Sequence, residues 1–274
     1  GVKMFEWQKE VRDGMLLMVS QNREYIEATH NILRKIHKSY LSNNQHLYTE
    51  DELSQINHFF NSVIFKSFLT RLAIEQLQSV RHGRINESLW PAIENNLYTL
   101  NCSDDEQVLV SFALESFLFE ARSFLDVYMV FVCLLLKTGF TKGYMTKSRF
   151  YDELDKVNEP PFVEKARWIK QYFDTNVFGF EEKQQKFIIR NDWGTLLRSL
   201  RDRISHRDVI SLSFDSEEKF IADIRLDWPT INGITYHSMA ETIGNGIHAL
   251  FYQGLCHIYE LKWDDFLGIT ENVS

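Results

Sequence analysis

Hydrophobic residues recur at helical spacing along most of this chain. Apolar positions three and four residues apart give a segment one face that can turn toward a core, which is typical of an amphipathic helix. The pattern predicts helices over residues 5–40, 50–80, 89–100, 104–137, 181–206 and 238–261. We expect a break near Gly194, and we expect short helices and loops over residues 140–179, where glycines and prolines interrupt the pattern.

Start and stop signals mark two of the longest predicted helices. Thr49 and Glu52 have the spacing of a capping box, in which each side chain bonds the backbone N–H of the other residue. Ser103 and Glu106 repeat that spacing before the next long helix. Gly139 follows the last apolar residue of that helix and predicts its end.

The period changes from helical to alternating after residue 209. Apolar and polar residues alternate over 210–214 and again over 220–228, as they do in strands that bury one face. The polar run 215–218 can form a turn between them. The pattern therefore predicts a β-hairpin between about residues 209 and 228.

Composition favours an all-α fold for the rest of the chain. Only 12 glycines and 4 prolines occur in 274 residues, so few positions break a helix. The 21 phenylalanines and 11 tyrosines predict an aromatic core. We place a domain boundary near residue 102, between an N-terminal helical region (1–102) and a helical bundle with the hairpin (103–274).

Charge and cysteine usage exclude several classes of protein. A net charge of −8 argues against a general nucleic-acid coat and confines any RNA contact to a local patch. Cys102, Cys133 and Cys256 form no CxxC pair, which favours a reducing compartment over a disulfide framework or a zinc site. The apolar run 124–136 is shorter than the ~20 residues that span a bilayer, and the N-terminus lacks a signal core. We expect a cytoplasmic protein without a metal, a cofactor or a membrane contact.

The chemistry-bearing motif lies near the end of the 181–206 helix. On a helix Asp202 and His206 are surface neighbours, so the carboxylate can orient the imidazole. An imidazole can move the proton of a ribose hydroxyl, and Arg201 can stabilise charge on the phosphate. We therefore predict metal-independent RNA cleavage by Arg201, Asp202 and His206. Further RNA contacts are expected from Arg198, Arg203 and Arg207.

Arg-Asp-x-x-x-His at residues 201–206 resembles the signature of the HEPN superfamily. The upstream run FLFEARSFLDVY, with Glu120 and Arg122, is also similar to that family, and the resemblance covers roughly residues 104–137 and 182–262. It implies an up-and-down helical bundle, to which this chain adds N-terminal helices and the hairpin. It also implies a homodimeric ribonuclease of toxin–antitoxin or antiviral systems, with RNA as substrate, an antitoxin or regulatory protein as partner, and supporting roles for Glu120 and Arg122.

Two other interpretations of these residues stay open. The motif can be a solvated helix end whose cations complement the helix dipole, and Arg122 with Asp126 can be a simple i,i+4 ion pair. The chain would then be a non-catalytic HEPN-like module that binds a partner protein or a nucleotide, or an unrelated helical scaffold. Having both Arg201 and His206 favours the ribonuclease, whereas the acidic net charge favours a binding module.

Overall fold

The computed structural model describes residues 31–79, 104–140, 145–179, 192–205, 230–231 and 234–261. Within these ranges the chain is almost entirely helical, in agreement with the all-α class. Helix α1 includes residues 31–43, α2 is Glu50–Ser79, α3 is Asp104–Leu135, α4 is Lys147–Asp155, α5 is Pro160–Asn176, α6 is Trp193–Ser205 and α7 is Tyr236–Ile258.

The capping box predicted before α2 is confirmed. The backbone N–H of Thr49 donates to Oε2 of Glu52 at 2.7 Å, and the N–H of Glu52 donates to Oγ1 of Thr49 at 3.2 Å. Two backbone donors that the first turn leaves unpaired are satisfied in this way. A single turn of 3₁₀ helix, Gln45–Leu47, connects α1 to this cap.

Helix α3 lies at the centre of the fold and packs against α2, α6 and α7. Its aromatic residues Phe117, Phe124, Tyr128 and Phe131 are fully buried. The helix ends close to the predicted glycine, and Gly139 has a positive φ of +84°. The non-glycine residue Lys137 is left-handed as well, with φ +53°. Its ammonium donates to the carbonyl of Leu47 at 2.8 Å, a contact that helps to hold this unusual backbone in place.

The prediction of short helices and loops over 140–179 is wrong in one part. α4 is short, with nine residues, but α5 is a continuous helix of 17 residues. Pro160 and Pro161 occupy the first positions of α5, where a helix has no intrahelical acceptor for an N–H and a fixed φ is an advantage. They begin this helix and do not break it.

The next helix, α6, begins at Trp193, so the break expected near Gly194 is the start of this helix. Residues 181–191, the first part of the predicted helix, lie outside the described ranges. The backbone N–H of Gly194 donates to the carbonyl of Val177 at 2.8 Å. A side chain at position 194 would collide with Val177, so the glycine allows α6 to approach the end of α5.

The hairpin predicted over 209–228 lies outside the described residues and stays a prediction. Two strands of two residues, β1 (Thr230–Ile231) and β2 (Ile234–Thr235), pair antiparallel just after it. α7 follows β2 directly, so the last predicted helix is confirmed with a start two residues earlier than expected.

One hydrophobic cluster joins residues on both sides of position 102. It includes Ile56 and Phe60 from α2, Phe124 from α3 and Leu250 from α7. The predicted domain boundary near residue 102 stays a prediction. Cys133 and Cys256 are buried free thiols. None of the helices in the described ranges is long and apolar enough to cross a membrane.

Candidate functional site

Helix α6 carries the arginines of the predicted motif and is fixed by its apolar face. Trp193, Leu197 and Leu200 are buried, as the helical pattern predicts. Arg201 lies at the edge of this face and is half-buried, whereas Asp202 is exposed. The burial of one face therefore sets the direction in which the arginines of α6 project.

The outer edge of α6 faces the middle of α3, which brings together two parts of the sequence that are about 75 residues apart. Nε of Arg122 donates to Oδ2 of Asp126 at 2.9 Å, an i,i+4 ion pair on α3. Arg198 and Arg201 of α6 act electrostatically on the same Asp126 carboxylate. We call Arg122, Asp126, Arg198, Arg201 and Asp202 the arginine–aspartate cluster. Three arginines against two aspartates leave it one net positive charge.

Several polar atoms of the cluster are buried without a hydrogen-bond partner. In the part of the chain that the structure describes, these atoms are Nη1 of Arg122, Oδ1 of Asp126, and Nε and Nη2 of Arg198. A buried polar atom left unpaired costs about 1–3 kcal/mol, and more when it is charged. Arginine N–H groups in such a position have the geometry to bind two oxygens of a phosphate or a carboxylate. The cluster is therefore chemically suited to an oxyanion.

Burial shifts the pKa values of two members of the cluster. It raises the pKa of Asp126 above the ordinary value of 3.8, an effect that Arg122 opposes most strongly and Arg198 and Arg201 oppose further. It lowers the pKa of Arg198 to about 10, and the neighbouring Arg122 acts in the same direction. Arg198 therefore stays charged at neutral pH while lacking part of its solvation, which strengthens its attraction to an anion.

Aromatic rings support the arginines of α6. The guanidinium of Arg198 lies over the ring of Phe178, 4.9 Å from its centroid. The guanidinium of Arg201 lies 5.6 Å from the centroid of Phe119, a ring that is 50% exposed. Such cation–π contacts hold the planar guanidinium in one orientation. Sequence reasoning missed both rings, although Phe119 lies one turn before Arg122 and could have been found from the spacing on α3.

The structure separates the two residues predicted to support the site. Arg122 belongs to the cluster, whereas Glu120 forms a salt bridge of 2.8 Å with Nζ of Lys66 on α2. Positions two apart on a helix are about 200° apart around its axis, so Glu120 and Arg122 leave α3 in different directions. Glu120 connects α3 to α2, and Arg122 connects α3 to α6.

The rest of the predicted site is only partly described. Arg203 belongs to α6 but its side chain lies outside the described part of the structure, as do His206 and Arg207. The last described residue of α6, Ser205, directly precedes His206. Among the described residues, no group of three or more histidine, cysteine, aspartate or glutamate side chains could hold a metal ion.

No protein-family model, curated protein or solved structure matches this chain. The resemblance to the HEPN superfamily stays a prediction from the motif residues Arg201, Asp202 and His206.

Proposed function

We propose that the chain is a metal-independent endoribonuclease whose site lies at the C-terminal end of α6, beside α3. The observation that carries this proposal is the group of buried, unpaired guanidinium atoms of Arg122 and Arg198. They lie close to the start of the Arg-Asp-x-x-x-His motif, where the proposed reaction needs a phosphate to be held. A helix end that only complements a helix dipole would keep its cations solvated.

In the proposed reaction the 2′-hydroxyl oxygen of a ribose attacks the adjacent phosphorus atom. A base takes the hydroxyl proton as the new P–O bond forms, and an acid gives a proton to the leaving 5′-oxygen. The products are a 2′,3′-cyclic phosphate and a free 5′-hydroxyl. His206 is the proposed proton carrier, Arg201 stabilises charge on the phosphate, and Asp202 orients the imidazole. Arg198, Arg203 and Arg207 hold the neighbouring phosphates.

The proposal includes a symmetric homodimer. One chain contributes one motif histidine, whereas the reaction needs both a base and an acid. A two-fold axis beside the end of α6 would bring two copies of His206 to one phosphate. Toxin–antitoxin or antiviral systems are the proposed setting, with an antitoxin or regulatory protein as a further partner and the cytoplasm as the location.

The second candidate function is a non-catalytic module that binds a partner protein or a nucleotide. The ion pair between Arg122 and Asp126 favours it, because a carboxylate inside the cluster already neutralises part of its positive charge. The net charge of −8 favours it as well, since RNA would be repelled by most of the surface. This module would bind an anion at the cluster and leave RNA intact.

RNA cleavage by the full chain in EDTA tests the proposal. We expect single-stranded RNA to be cut to products with 2′,3′-cyclic phosphates, and DNA of the same sequence to stay intact. His206→Ala should lose roughly 10²–10⁴ in rate, as is typical when an acid–base group is removed, and Arg201→Ala should also abolish cutting. Arg167→Ala is the matched control, since Arg167 is an exposed arginine paired with Glu164 on α5. Cutting that needs a divalent metal, or that survives in His206→Ala, would support the binding module instead.

A further inference from the structure

Two exposed phenylalanines lie along the face of α3 that carries the site. Phe112 is 52% exposed and Phe119 is 50% exposed. They are seven residues apart, so they project from nearly the same side of the helix, about 10 Å apart along its axis. Arg122 follows Phe119 by one turn, which places the aromatic stripe next to the arginine–aspartate cluster.

Two cationic groups lie near the ring of Phe119. The guanidinium of Arg201 lies 5.6 Å from its centroid, and Nζ of Lys66 lies 5.8 Å from it. Lys66 is ion-paired with Glu120, so the net positive charge beside this half-exposed ring comes from the arginine–aspartate cluster. In a chain with a net charge of −8, that cluster is a local exception. An aromatic face beside cations matches a nucleotide, because the base stacks on the ring while its phosphate meets the positive charge.

We propose that Phe119 is a base-stacking platform for a single-stranded nucleic acid, with Phe112 as a second platform and the arginine–aspartate cluster as the adjoining phosphate site. That the ligand is a nucleic acid rests on the proposed function. The inference adds that this nucleic acid is single-stranded. Stacked bases are only about 3.4 Å apart along a strand, whereas the two rings are about 10 Å apart. A base that lies on either ring has one face against the phenylalanine and has therefore separated from its neighbour on that side, as the bases inside a regular duplex have not.

The charges favour a nucleic acid over a second copy of the chain as the occupant of this stripe. An apolar protein face laid on Phe119 would leave the unpaired guanidinium atoms of Arg122 and Arg198 without an anion, which is unfavourable. A nucleotide supplies the apolar base and the anion together. A second copy of the chain remains an outcome that the test distinguishes.

Binding of single-stranded oligodeoxynucleotides tests the platform independently of cleavage, because DNA lacks the attacking hydroxyl. Two probes of equal length are compared by fluorescence anisotropy with the full chain. One is oligo(dT) and the other is an abasic deoxyribose-phosphate strand. We expect Phe119→Ala to weaken binding of oligo(dT) by about 5- to 150-fold, the range for loss of one stacked base. Binding of the abasic strand should stay unchanged, and Phe119→Trp should bind oligo(dT) at least as well as the parent.

Phe65→Ala is the matched control, since it removes a phenylalanine that is 55% exposed on the neighbouring helix α2. It should bind both strands like the parent. Equal losses on both strands in Phe119→Ala would mean that the ring only positions Arg201, and this result would overturn the platform. A parent chain that binds neither strand at low salt would overturn it as well. So would a Phe119→Ala variant that turns a dimer into a monomer with unchanged binding, because the stripe would then be a self-interface.

The two proposals fail in distinguishable ways. If the chain cuts no RNA but Phe119→Ala still selectively weakens oligo(dT) binding, the platform stands and the ribonuclease fails. If RNA is cut by way of His206 but Phe119→Ala binds oligo(dT) like the parent, the ribonuclease stands and the platform fails.

Discussion

The imidazole of His37 and the hydroxyl of Tyr259 are hydrogen-bonded in the core, with Nδ1 and Oη 2.6 Å apart although 222 residues separate them in the chain. Nε2 of the same ring lies 3.0 Å from Oδ1 of Asn57, which can only accept. Nε2 therefore carries the proton and donates to Asn57, and Nδ1 accepts from Tyr259. The ring also stacks on Phe60 at 3.7 Å. A neutral imidazole thus joins α1, α2 and the segment after α7.

Acid should destabilise the fold through this histidine. Burial lowers the pKa of His37 from 6.5 to about 4, and the hydrogen bond to Asn57 opposes the shift. Because the unfolded chain binds a proton near pH 6.5 and the folded chain does not, stability is intact above pH 6.5. It falls as the pH decreases from 6.5 to 4, by about 3 kcal/mol for His37 alone. Urea unfolding measured at several pH values between 7 and 4 gives the slope of the free energy of unfolding against pH.

Substitution of the histidine isolates its share of the acid sensitivity. Burial also lowers the pKa values of His248 and His257, which contribute in the same direction. We expect His37→Gln to be less stable at pH 7 but to lose less stability than the parent on acidification. His58→Gln, on the exposed side of α2, should keep the parent's slope. An unchanged slope in His37→Gln would contradict the prediction.

Loss of the capping box should weaken the start of α2. Thr49→Ala removes the side chain that accepts from the N–H of Glu52. We expect the free energy of unfolding to fall by about 1 kcal/mol, typical of a lost N-cap. Thr175→Ala is a suitable control, because Thr175 lies in the last turn of α5 and its hydroxyl donates to the carbonyl of Gln171. If Thr49→Ala and the parent unfold at the same urea concentration, the capping box does not contribute to the free energy of unfolding.

The capping box shows which parts of this fold the sequence predicts well. Thr49 and Glu52 are three residues apart, so their interaction depends on local geometry alone, and the extent of α2 was predicted to within a residue. Pro160 and Pro161 were misjudged because a proline pair can either break a helix or begin one, and the difference depends on the neighbouring residues. A local signal therefore predicts the start of a helix only when it is compatible with one structure, as the capping box is and a proline pair is not.

The site was predicted only in part for a different reason. The spacing of Arg198, Arg201 and Asp202 on one helix is visible in the sequence. Their approach to Arg122 and Asp126 is not, because it depends on how α6 packs against α3, and no periodicity encodes that packing. Phe119 was missed because the pattern treats phenylalanines as core residues, whereas this ring is half-exposed beside Arg201. Phe178 is a core residue, and its contact with Arg198 depends on how α6 packs against the end of α5.

Two glycines of α7 should respond differently to the same substitution. A methyl group at position 246 would collide with the indole of Trp193, the first residue of α6, which is buried and cannot move freely. Gly246→Ala should therefore lower the free energy of unfolding by about 1–3 kcal/mol and displace α6 with its arginines. At position 244 the methyl would meet only the flexible end of Ile74.

Gly244→Ala is thus the matched control for Gly246→Ala. Alanine gains up to about 1 kcal/mol in helix propensity over glycine, which offsets a small shift of Ile74. Thermal unfolding should show Gly244→Ala close to the parent and Gly246→Ala clearly below it. Binding of oligo(dT) should weaken only in Gly246→Ala. Equal stability of the two variants would mean that Trp193 can move without loss.

Asp126 limits the positive charge of the arginine–aspartate cluster, so its neutralisation should strengthen anion binding. Asp126→Asn raises the net charge of the cluster from +1 to +2, counted from three arginines and two aspartates in the parent. A unit charge acting over about 8 Å at an effective dielectric constant of 20–40 changes affinity by about 5- to 30-fold. We expect oligo(dT) to bind more tightly by about that factor at low salt, and the gain to shrink as salt rises. The side chain of Asp126 as a whole is 38% exposed, although its Oδ1 is buried, so solvent partly screens the ion pair with Arg122. Loss of the pair should lower the free energy of unfolding by only about 1 kcal/mol or less.

The pH dependence of binding gives an independent test of the same carboxylate. Burial raises the pKa of Asp126, so the parent carboxylate becomes protonated at a higher pH than an ordinary aspartate and the cluster gains positive charge as the pH falls. Affinity for oligo(dT) should therefore rise on acidification in a His206→Ala background, which removes the titration of the motif histidine. The rise should be absent when Asp126→Asn is added.

Asp155→Asn makes the same change in total charge at an exposed aspartate that pairs with Lys170, and it should keep the parent's affinity and pH profile. Weaker binding in Asp126→Asn would instead show that Asp126 is needed to hold Arg122 in position for the anion.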